Sequence, residues 1–504
     1  MKHLKAPMKH LKALLSLICM LAMILCSFAA CKPSAKENPS NSESEAATGA
    51  ITPEETEFDY ENGDRLDPTL DFANEQFSIY TWNTQMITEW VEQETENMSE
   101  VEQVLYQHLT GTEDRLNVDF KITTVPGRYN DRLNFVETLE SYTLTGLSPD
   151  LVCQYSLTST IAMLKGLYSD LAVSKHIDFD APWWNDSLVE GNKIKDKLYY
   201  ITGDITPTVP YNMYGIQFNK ELLNAYELES PYQLVRDGNW TYSRMLELIK
   251  DTSLNPSTNN QYGGSSENVM YGLVVQKLAV DAFQAGFGVV AVQKNDNGIW
   301  NFSRDYTGSK AVDAVDAIRR MVYENTDVFY DMDAKWANKI FIDRHTIFSV
   351  DTMYCVESEI EDHGLKVGVV PTPKFDAAQT DYATRLGVTV SVFAVPMETP
   401  DYDRSTAVLE AFGSNGYRKV TPVVFEKMFC ARYADAPDDA EMFMKIRDCI
   451  VYDPGNFHDA LSSFSAFRNC VRQNLSWSTY LEQNLTRFAN ALSEINKMDA
   501  EADL

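Results

Sequence analysis

The sequence lacks the short motifs that mark several large classes of enzyme. It contains no GxSxG nucleophile turn, no HExxH zinc-peptidase motif, no GxxxxGKS/T phosphate-binding loop and no GxGxxG dinucleotide fingerprint. Histidine is scarce, with 7 in 504 residues, and those beyond the N-terminal segment stand alone: His108, His176, His345, His363 and His458. These absences disfavour serine hydrolases, zinc peptidases and nucleotide-hydrolysing enzymes. We therefore expect a protein that is not an enzyme and that needs no cofactor.

Clustered cysteine is also absent. The 8 cysteines form no CxxC pair and no Cys/His group with the spacing of metal ligands. Three lie in or at the end of the N-terminal segment, and the other five are far apart: Cys153, Cys355, Cys430, Cys449 and Cys470. This odd, scattered set argues against a disulfide framework and against a metal site. It predicts buried free thiols.

Positive charge is in short supply. The chain has 43 Lys and Arg against 73 Asp and Glu, a formal net charge of −30. Such a field repels nucleic acid and disfavours a strongly anionic solute unless local Lys or Arg compensates for it. It fits a neutral or cationic ligand, and it fits equally well an acidic surface that only keeps the protein soluble. Aromatic residues, in contrast, reach 12%, enough both for core packing and for rings that line a ligand site.

The N-terminal segment has the features of an export signal. Lysines precede an apolar stretch, Ala13 to Ala30, that ends in small residues. The sequence Ser27-Phe28-Ala29-Ala30-Cys31 resembles the lipobox of bacterial lipoproteins, with Phe28 where leucine is commoner. The resemblance implies that residues 1–31 are a signal peptide and that Cys31 becomes the lipidated first residue of the mature chain. It also implies a lipid-anchored protein on the extracellular face of the cell membrane.

The segment after this cysteine, residues 32–57, is rich in Ser, Glu, Pro, Asn, Ala and Thr and has almost no large apolar side chain. It cannot bury enough surface to offset the entropy lost on ordering. We therefore predict a disordered linker. A ligand-delivery protein and a surface enzyme would both use such a linker.

From Phe77 onward, short β-rich runs alternate with longer helical patterns, which predicts an α/β fold with parallel strands. Strands are predicted at 77–82, 118–122 and 149–153, and helical patterns at 89–116 and 130–145. The third strand ends near Gln154 and Tyr155. Ligands of open α/β sheets gather at such carboxyl ends.

Six segments carry a resemblance to a known family. They are Pro149-Asp150-Leu151-Val152, the run 214–223 (YGIQFNKELL), the run 238–245 (GNWTYSRM), the pair 348–351 and 367–373 (FSVD and VGVVPTP), and the run 387–395 (GVTVSVFAV). In order and spacing the chain is similar, over about 75–495, to the extracellular solute-binding proteins of ABC importers, the maltose-binding, carbohydrate type. Gln217 stands where the family usually has tyrosine.

The resemblance implies a two-lobed, periplasmic-binding-protein-like fold of type II, in which each lobe is a sheet flanked by helices and several segments cross between lobes. Lobe 1 would comprise 75–209 and 373–413, and lobe 2 would comprise 210–372 and 414–504. A mono- or oligosaccharide would bind in the cleft between the lobes. A monomeric protein would then deliver it to the transmembrane subunits of an ABC permease, with no nucleic acid involved.

Candidate ligand-binding residues follow from the family's cleft, because a sugar needs aromatic platforms for its ring faces and planar polar groups for its hydroxyls. They are Trp82, Asn83, Gln154, Tyr155, Trp184, Tyr211, Asn212, Asp351 and Tyr354. For Trp184, an anchor in the core of the first lobe is an alternative role.

Other functions stay open at this point. A surface lipoprotein hydrolase acting on glycans would need a pair of carboxylates in a cleft. A sensor accessory protein would present the same ligand to a membrane receptor. Peptides, polyamines or other solutes also bind on similar folds. A structural adhesin is disfavoured because the sequence has no internal repeat.

Overall fold

The computed structural model of the chain describes residues 58–84, 89–257, 261–356, 363–429, 436–458 and 461–498. The predicted signal peptide, Cys31 and the predicted linker 32–57 lie outside the described residues. Residues 59–504 form one compact unit. In the described part of the chain, no helix combines the length and the apolar composition needed to cross a membrane.

The strands, numbered in chain order, are β1 Glu75–Trp82, β2 Val118–Val125, β3 Leu151–Tyr155, β4 Tyr214–Asn219, β5 Tyr271–Gln276, β6 Val292–Lys294, β7 Trp300–Phe302, β8 Val328–Asp331, β9 Thr346–Thr352, β10 Val367–Val370 and β11 Ser391–Ala394. The helices of the first half are α1 Glu100–Leu116, α2 Arg132–Thr145, α3 Ser156–Leu164, α4 Asp186–Asn192, α5 Thr208–Tyr211, α6 Lys220–Ala225, α7 Pro231–Arg236 and α8 Tyr242–Ile249. Those of the second half are α9 Val280–Gly286, α10 Arg304–Thr307, α11 Ser309–Tyr323, α12 Ala337–Ile342, α13 Tyr402–Asn415, α14 Thr421–Phe429, α15 Ala436–Asp448, α16 Pro454–Phe457, α17 Ala466–Arg472 and α18 Trp477–Lys497.

The first sheet has the strand order β11-β3-β1-β2. Strand β1 runs parallel to β2 and to β3, whereas β11 returns antiparallel to β3. The three predicted strands therefore exist, and the parallel α/β arrangement is confirmed for them. Phe77, Ile79 and Leu151 are among the residues that this sheet buries, because their side chains face the flanking helices.

The second sheet has the strand order β10-β4-β9-β5-β8. Strand β5 is parallel to β8 and β9, while β4 is antiparallel to both β9 and β10. Nearly every residue of these strands is buried, as expected of a sheet with helices on both faces.

Two segments connect the sheets, one between β3 and β4 and the other between β10 and β11, and they lie side by side. Met213 and Leu386 form an antiparallel bridge. The Tyr214 N–H donates to the Arg385 carbonyl at 3.0 Å, and the Gly387 N–H donates to the Asn212 carbonyl at 2.8 Å. The link between the sheets is therefore a short hydrogen-bonded ribbon and not a pair of independent loops.

Helix α1 begins later than predicted. The helical pattern starts at Glu89 in the sequence, but the helix begins at Glu100 because Ser99 and Glu102 form a reciprocal capping box there. Glu89 is instead buried, and its carboxyl group accepts hydrogen bonds from the hydroxyls of Thr206 and Ser391. The next predicted helix, 130–145, is observed as α2.

Cys153, Cys449 and Cys470 are free thiols, as predicted. Cys153 and Cys470 are buried, whereas Cys355 and Cys449 are only half-buried. Cys430 lies outside the described residues. Burial raises the pKa of the Cys470 thiol to about 12, which makes it a weak nucleophile at neutral pH.

Candidate functional site

A cavity of about 460 Å³ lies where the two sheets and their connecting segments meet. Tyr155 at the carboxyl end of β3, Thr352 at the carboxyl end of β9 and Lys277, just after β5, all line it. Parallel strands bring such ends to one edge of a sheet, which is where open α/β sheets bind ligands. The position of this cavity makes it the candidate site.

The first sheet contributes aromatic surface. Tyr155 lines the cavity, and its ring centroid lies 5.3 Å from that of the buried Trp82, at an interplanar angle of 52°. Tyr129 also lines the cavity and is well exposed, with the Arg132 guanidinium 4.1 Å from the centre of its ring. Trp82 thus packs against the Tyr155 ring and is not itself part of the cavity lining.

The connecting segments form the floor of the cavity. The Asn212 side-chain amide donates to the carbonyls of Thr208 at 2.8 Å and Thr389 at 3.1 Å, and its oxygen accepts from the Thr389 hydroxyl at 2.5 Å. At Gly387, an added Cβ would lie 3.0 Å from the Asn212 amide oxygen. This one side chain therefore ties the two connecting segments together at close range.

The second sheet and helix α17 contribute cationic and polar groups. Lys277, Arg468 and Arg472 line the cavity. The two arginines are one helical turn apart on α17, so they share a face. Arg468 pairs at 2.9 Å with Asp281, which is 2% exposed. Burial raises the pKa of Asp281, and the neighbouring Arg468 and Arg385 oppose that rise.

Two predicted site residues, Tyr155 and Asn212, are among the residues that line the cavity. Trp82 is 2% exposed and donates its indole N–H to the Ser391 hydroxyl at 2.9 Å. Trp184 is equally buried and donates to the Glu410 carboxyl at 2.9 Å, the core position that was its alternative role. Binding of ligand by any of them stays a prediction.

Three further predicted residues, Gln154, Asn83 and Asp351, are not part of the cavity lining. Gln154 is fully buried and accepts from the Tyr168 hydroxyl at 2.6 Å. The Asn83 amide oxygen accepts from the Gly127 N–H at 3.2 Å. The Asp351 carboxylate accepts from Gln276 at 2.9 Å and from the Thr352 N–H at 2.7 Å.

Tyr211 and Tyr354 contact each other edge to face, with ring centroids 6.1 Å apart. Tyr211 is buried, whereas Tyr354 is 36% exposed. This pair lies on the segments next to Asn212 and Thr352, which both line the cavity.

Sequence reasoning missed the cationic side of the cavity. Lys277, Arg468 and Arg472 come from distant parts of the chain, and only the spacing of the two arginines on a helix was visible beforehand. In the part of the chain that the structure describes, no group of three or more His, Cys, Asp or Glu residues could hold a metal ion.

No protein-family model and no curated protein matches the chain, but solved structures resemble it over most of its length. A cyclo/maltodextrin-binding protein complexed with maltotetraose has a TM-score of 0.54 at 13% identity, with 82% of this chain and 96% of that one covered. The ABC substrate-binding protein Lmo0181 from Listeria monocytogenes, in complex with cycloalternan, has a TM-score of 0.52 at 14% identity, with 85% and 99% covered.

A third structure, UspC of M. tuberculosis, has a TM-score of 0.53 at 13% identity and covers 84% of this chain and all of its own. At such low identities the likeness shows the fold alone. The fold is that of two-lobed, type II periplasmic binding proteins, so the predicted fold class is confirmed.

Proposed function

We propose that this protein is the extracellular solute-binding subunit of an ABC transporter, which captures a mono- or oligosaccharide and delivers it to a permease. The observation that carries the proposal is the cavity between the two sheets, which has tyrosine rings on one side and hydrogen-bonding side chains on the other. The fold supports it, because two solved proteins of the same fold hold maltotetraose and cycloalternan.

The lining of the cavity matches the chemistry of a sugar. The Tyr129 ring, 46% exposed, offers an apolar surface to the C–H face of a pyranose. Tyr155 also lines the cavity but is 3% exposed, so it offers only a small part of its ring. Asn469, Thr352 and Thr389 offer amide and hydroxyl groups for the sugar hydroxyls. A volume of about 460 Å³ suits a small oligosaccharide.

Capture would work by a shift between open and closed arrangements of two lobes, with lobe 1 at 75–209 and 373–413 and lobe 2 at 210–372 and 414–504. The paired connecting segments around Asn212 and Gly387 would act as the hinge. A solute that contacts both lobes binds the closed arrangement more tightly and so favours it. No covalent step is required.

A tether to the membrane completes the proposed role. Lipid on Cys31 would hold the protein, as a monomer, at the outer face of the cell membrane. The linker 32–57 would let it reach the permease. This part of the proposal rests on the sequence alone.

The binding role is preferred to a glycan hydrolase for a chemical reason. A retaining or inverting glycosidase needs two carboxyl groups about 5–10 Å apart at the scissile bond. Among the described residues that line the cavity, none is Asp or Glu.

The proposal is tested by a thermal-shift screen of the purified protein against mono- and oligosaccharides, with amino acids, short peptides and polyamines as the comparison set. At least one sugar is expected to raise the melting temperature. At a concentration 100 times its Kd, the sugar adds about 2.7 kcal/mol to the free energy of unfolding. Tyr129→Ala should weaken that shift, and Tyr226→Ala, at a similarly exposed tyrosine that is not part of the cavity lining, should leave it unchanged. A shift with a solute of the comparison set and none with any sugar would contradict the proposal.

A further inference from the structure

The local charge of the cavity is opposite to the charge of the chain. The whole chain carries −30, yet Lys277, Arg468 and Arg472 all line the cavity and none of its described lining residues is acidic. Three cations that line one cavity of a strongly acidic protein require a physical reason, because like charges repel one another.

The protein neutralises only part of this charge. Arg468 pairs with the buried Asp281 at 2.9 Å. Lys277 and Arg472 have no carboxylate partner in the part of the chain that the structure describes. Among the described residues, two cationic groups of the cavity therefore have no carboxylate partner.

A fourth cation lies directly behind the cavity wall. Arg385, on the connecting segment next to Gly387, is 2% exposed and donates to the Phe464 carbonyl at 2.9 Å. A second guanidinium nitrogen of the same side chain is buried and has no hydrogen-bond partner. Phe464 itself lines the cavity. Arg385 faces the buried carboxyl groups of Asp281 and Asp453, which offset part of the positive potential that it adds behind the cavity wall.

A neutral ligand would leave the cationic side chains of the cavity without a counter-charge. Closing the lobes around it would remove water from the cations and return no counter-charge, which costs free energy. An anionic group would instead accept charge-assisted hydrogen bonds from these side chains. The Arg472 guanidinium is able to bind a carboxylate, sulfate or phosphate through two parallel N–H donors.

We infer that the solute is an acidic carbohydrate whose carboxylate, sulfate or phosphate group is held by Lys277, Arg468 and Arg472. The inference rests on the proposed function, which it narrows to one class of sugar. Its orientation follows from the two sides of the cavity: the sugar ring faces Tyr155 and Tyr129, and the anionic group faces the second sheet and α17.

The test compares ligands of matched length. Titration calorimetry of the purified protein measures binding of trigalacturonate and maltotriose, of glucose 6-phosphate and glucose, of a sulfated chondroitin disaccharide, and of inorganic sulfate and phosphate. At least one acidic sugar should bind at least about tenfold more tightly than its neutral counterpart. That advantage should shrink between 20 and 200 mM salt because the cavity is open to solvent before binding.

Variants then assign the effect to residues. Lys277→Gln and Arg472→Gln each remove one cation that lines the cavity. Each should weaken binding of the acidic sugar about tenfold, and by clearly more than it weakens binding of a neutral sugar. The matched control is Lys366→Gln. It removes the same charge at the other end of the second sheet, where Val367 pairs with Asn219, about 17 Å along β4 from Tyr214. Unfolding curves of the three variants verify that each one folds.

Each result is decisive. A neutral sugar that binds as tightly as the acidic one, with no loss in Lys277→Gln and Arg472→Gln, would overturn the inference and leave the proposed function intact. Binding of inorganic sulfate or phosphate without any sugar would identify a free anion as the solute, and the proposed function would fail together with the inference. Absence of binding by all of these probes would contradict both.

Discussion

At the scale of single residues, burial decides what each polar side chain does. Asn212 lies in the floor of the cavity, but its amide donates to the carbonyls of Thr208 and Thr389. Trp184 has the aromatic surface a sugar needs, but its ring is packed close to Gly203 and Gly413 and its N–H is bound to Glu410. A residue type suited to a ligand can therefore serve the scaffold instead.

Glu410 gives a testable pH dependence at this scale. Burial raises the pKa of Glu410 from 4.5 to about 8, so between these values the folded protein holds a proton that the unfolded chain releases. The contribution to stability is complete below pH 4.5 and is lost as the pH rises toward 8. Each pH unit should lower the free energy of unfolding by about 1.4 kcal/mol through this group.

The measurement is urea unfolding of the wild type and Glu410→Gln at several pH values from 5 to 8. Glutamine keeps an acceptor for the Trp184 N–H but does not titrate, so the variant should gain stability relative to the wild type as the pH rises. Glu324→Gln, a change at an exposed carboxylate, is the control and should show a constant difference. A constant difference for Glu410→Gln as well would mean that this carboxyl group is not held protonated.

At the scale of elements, the long helical segment from α13 to α14 depends on one close approach. A π-helical turn, Gly416–Val420, joins the two helices. At Gly416, an added Cβ would lie 1.9 Å from the Asp204 carbonyl oxygen, far inside any normal contact. The backbone around Asp204, which precedes the ribbon, is thus packed directly on the helix backbone. Only glycine fits at position 416.

Two glycine substitutions separate packing from helix propensity. Gly416→Ala should destabilise the protein by at least about 2 kcal/mol, because the backbone of the segment around Asp204 has to move. Gly111→Ala, in α1, should instead stabilise it by about 0.5–1 kcal/mol, since the nearest atoms to an added Cβ are at 3.6 and 3.8 Å. Denaturant unfolding of both variants checks the opposite signs, and equal effects would contradict the packing argument.

At the scale of the whole molecule, two sheets are joined by a narrow ribbon next to the cavity. Under the proposed function, such a link would allow a hinge rotation to change the cavity without disturbing either sheet. The charge pattern is also visible only at this scale, since an acidic exterior surrounds a cavity lined by three cations. The acidic exterior would oppose the approach of an anionic solute at low salt, and the cations inside would hold it.

Hinge closure is expected to be measurable in solution. The sugar found by the thermal-shift screen should lower the radius of gyration in small-angle X-ray scattering at saturating concentration, because a solute that bridges both sides favours the closed arrangement. A sugar that causes no thermal shift is the control and should leave the scattering unchanged. An unchanged radius at saturation would mean that binding does not involve closure.

The sequence by itself determined the local elements and the class of the fold. The strands at 77–82, 118–122 and 149–153 and the helix at 130–145 follow from period and propensity, which act over a few residues. The two-lobed architecture was implied by the resemblance to the solute-binding proteins. The start of α1 was misplaced because a capping box at Ser99 and the burial of Glu89 interrupt a pattern that reads as continuous.

Only the tertiary structure decided what lines the cavity. Lys277 follows one strand of the second sheet, and Arg468 and Arg472 lie on a helix near the end of the chain, so no local pattern connects them. Whether Trp82 or Tyr155 faces the cavity depends on how the end of each strand packs against Ser391 and the connecting segments. Side-chain direction and the meeting of distant charges are set by packing between elements, and a single sequence carries no direct signal of that packing.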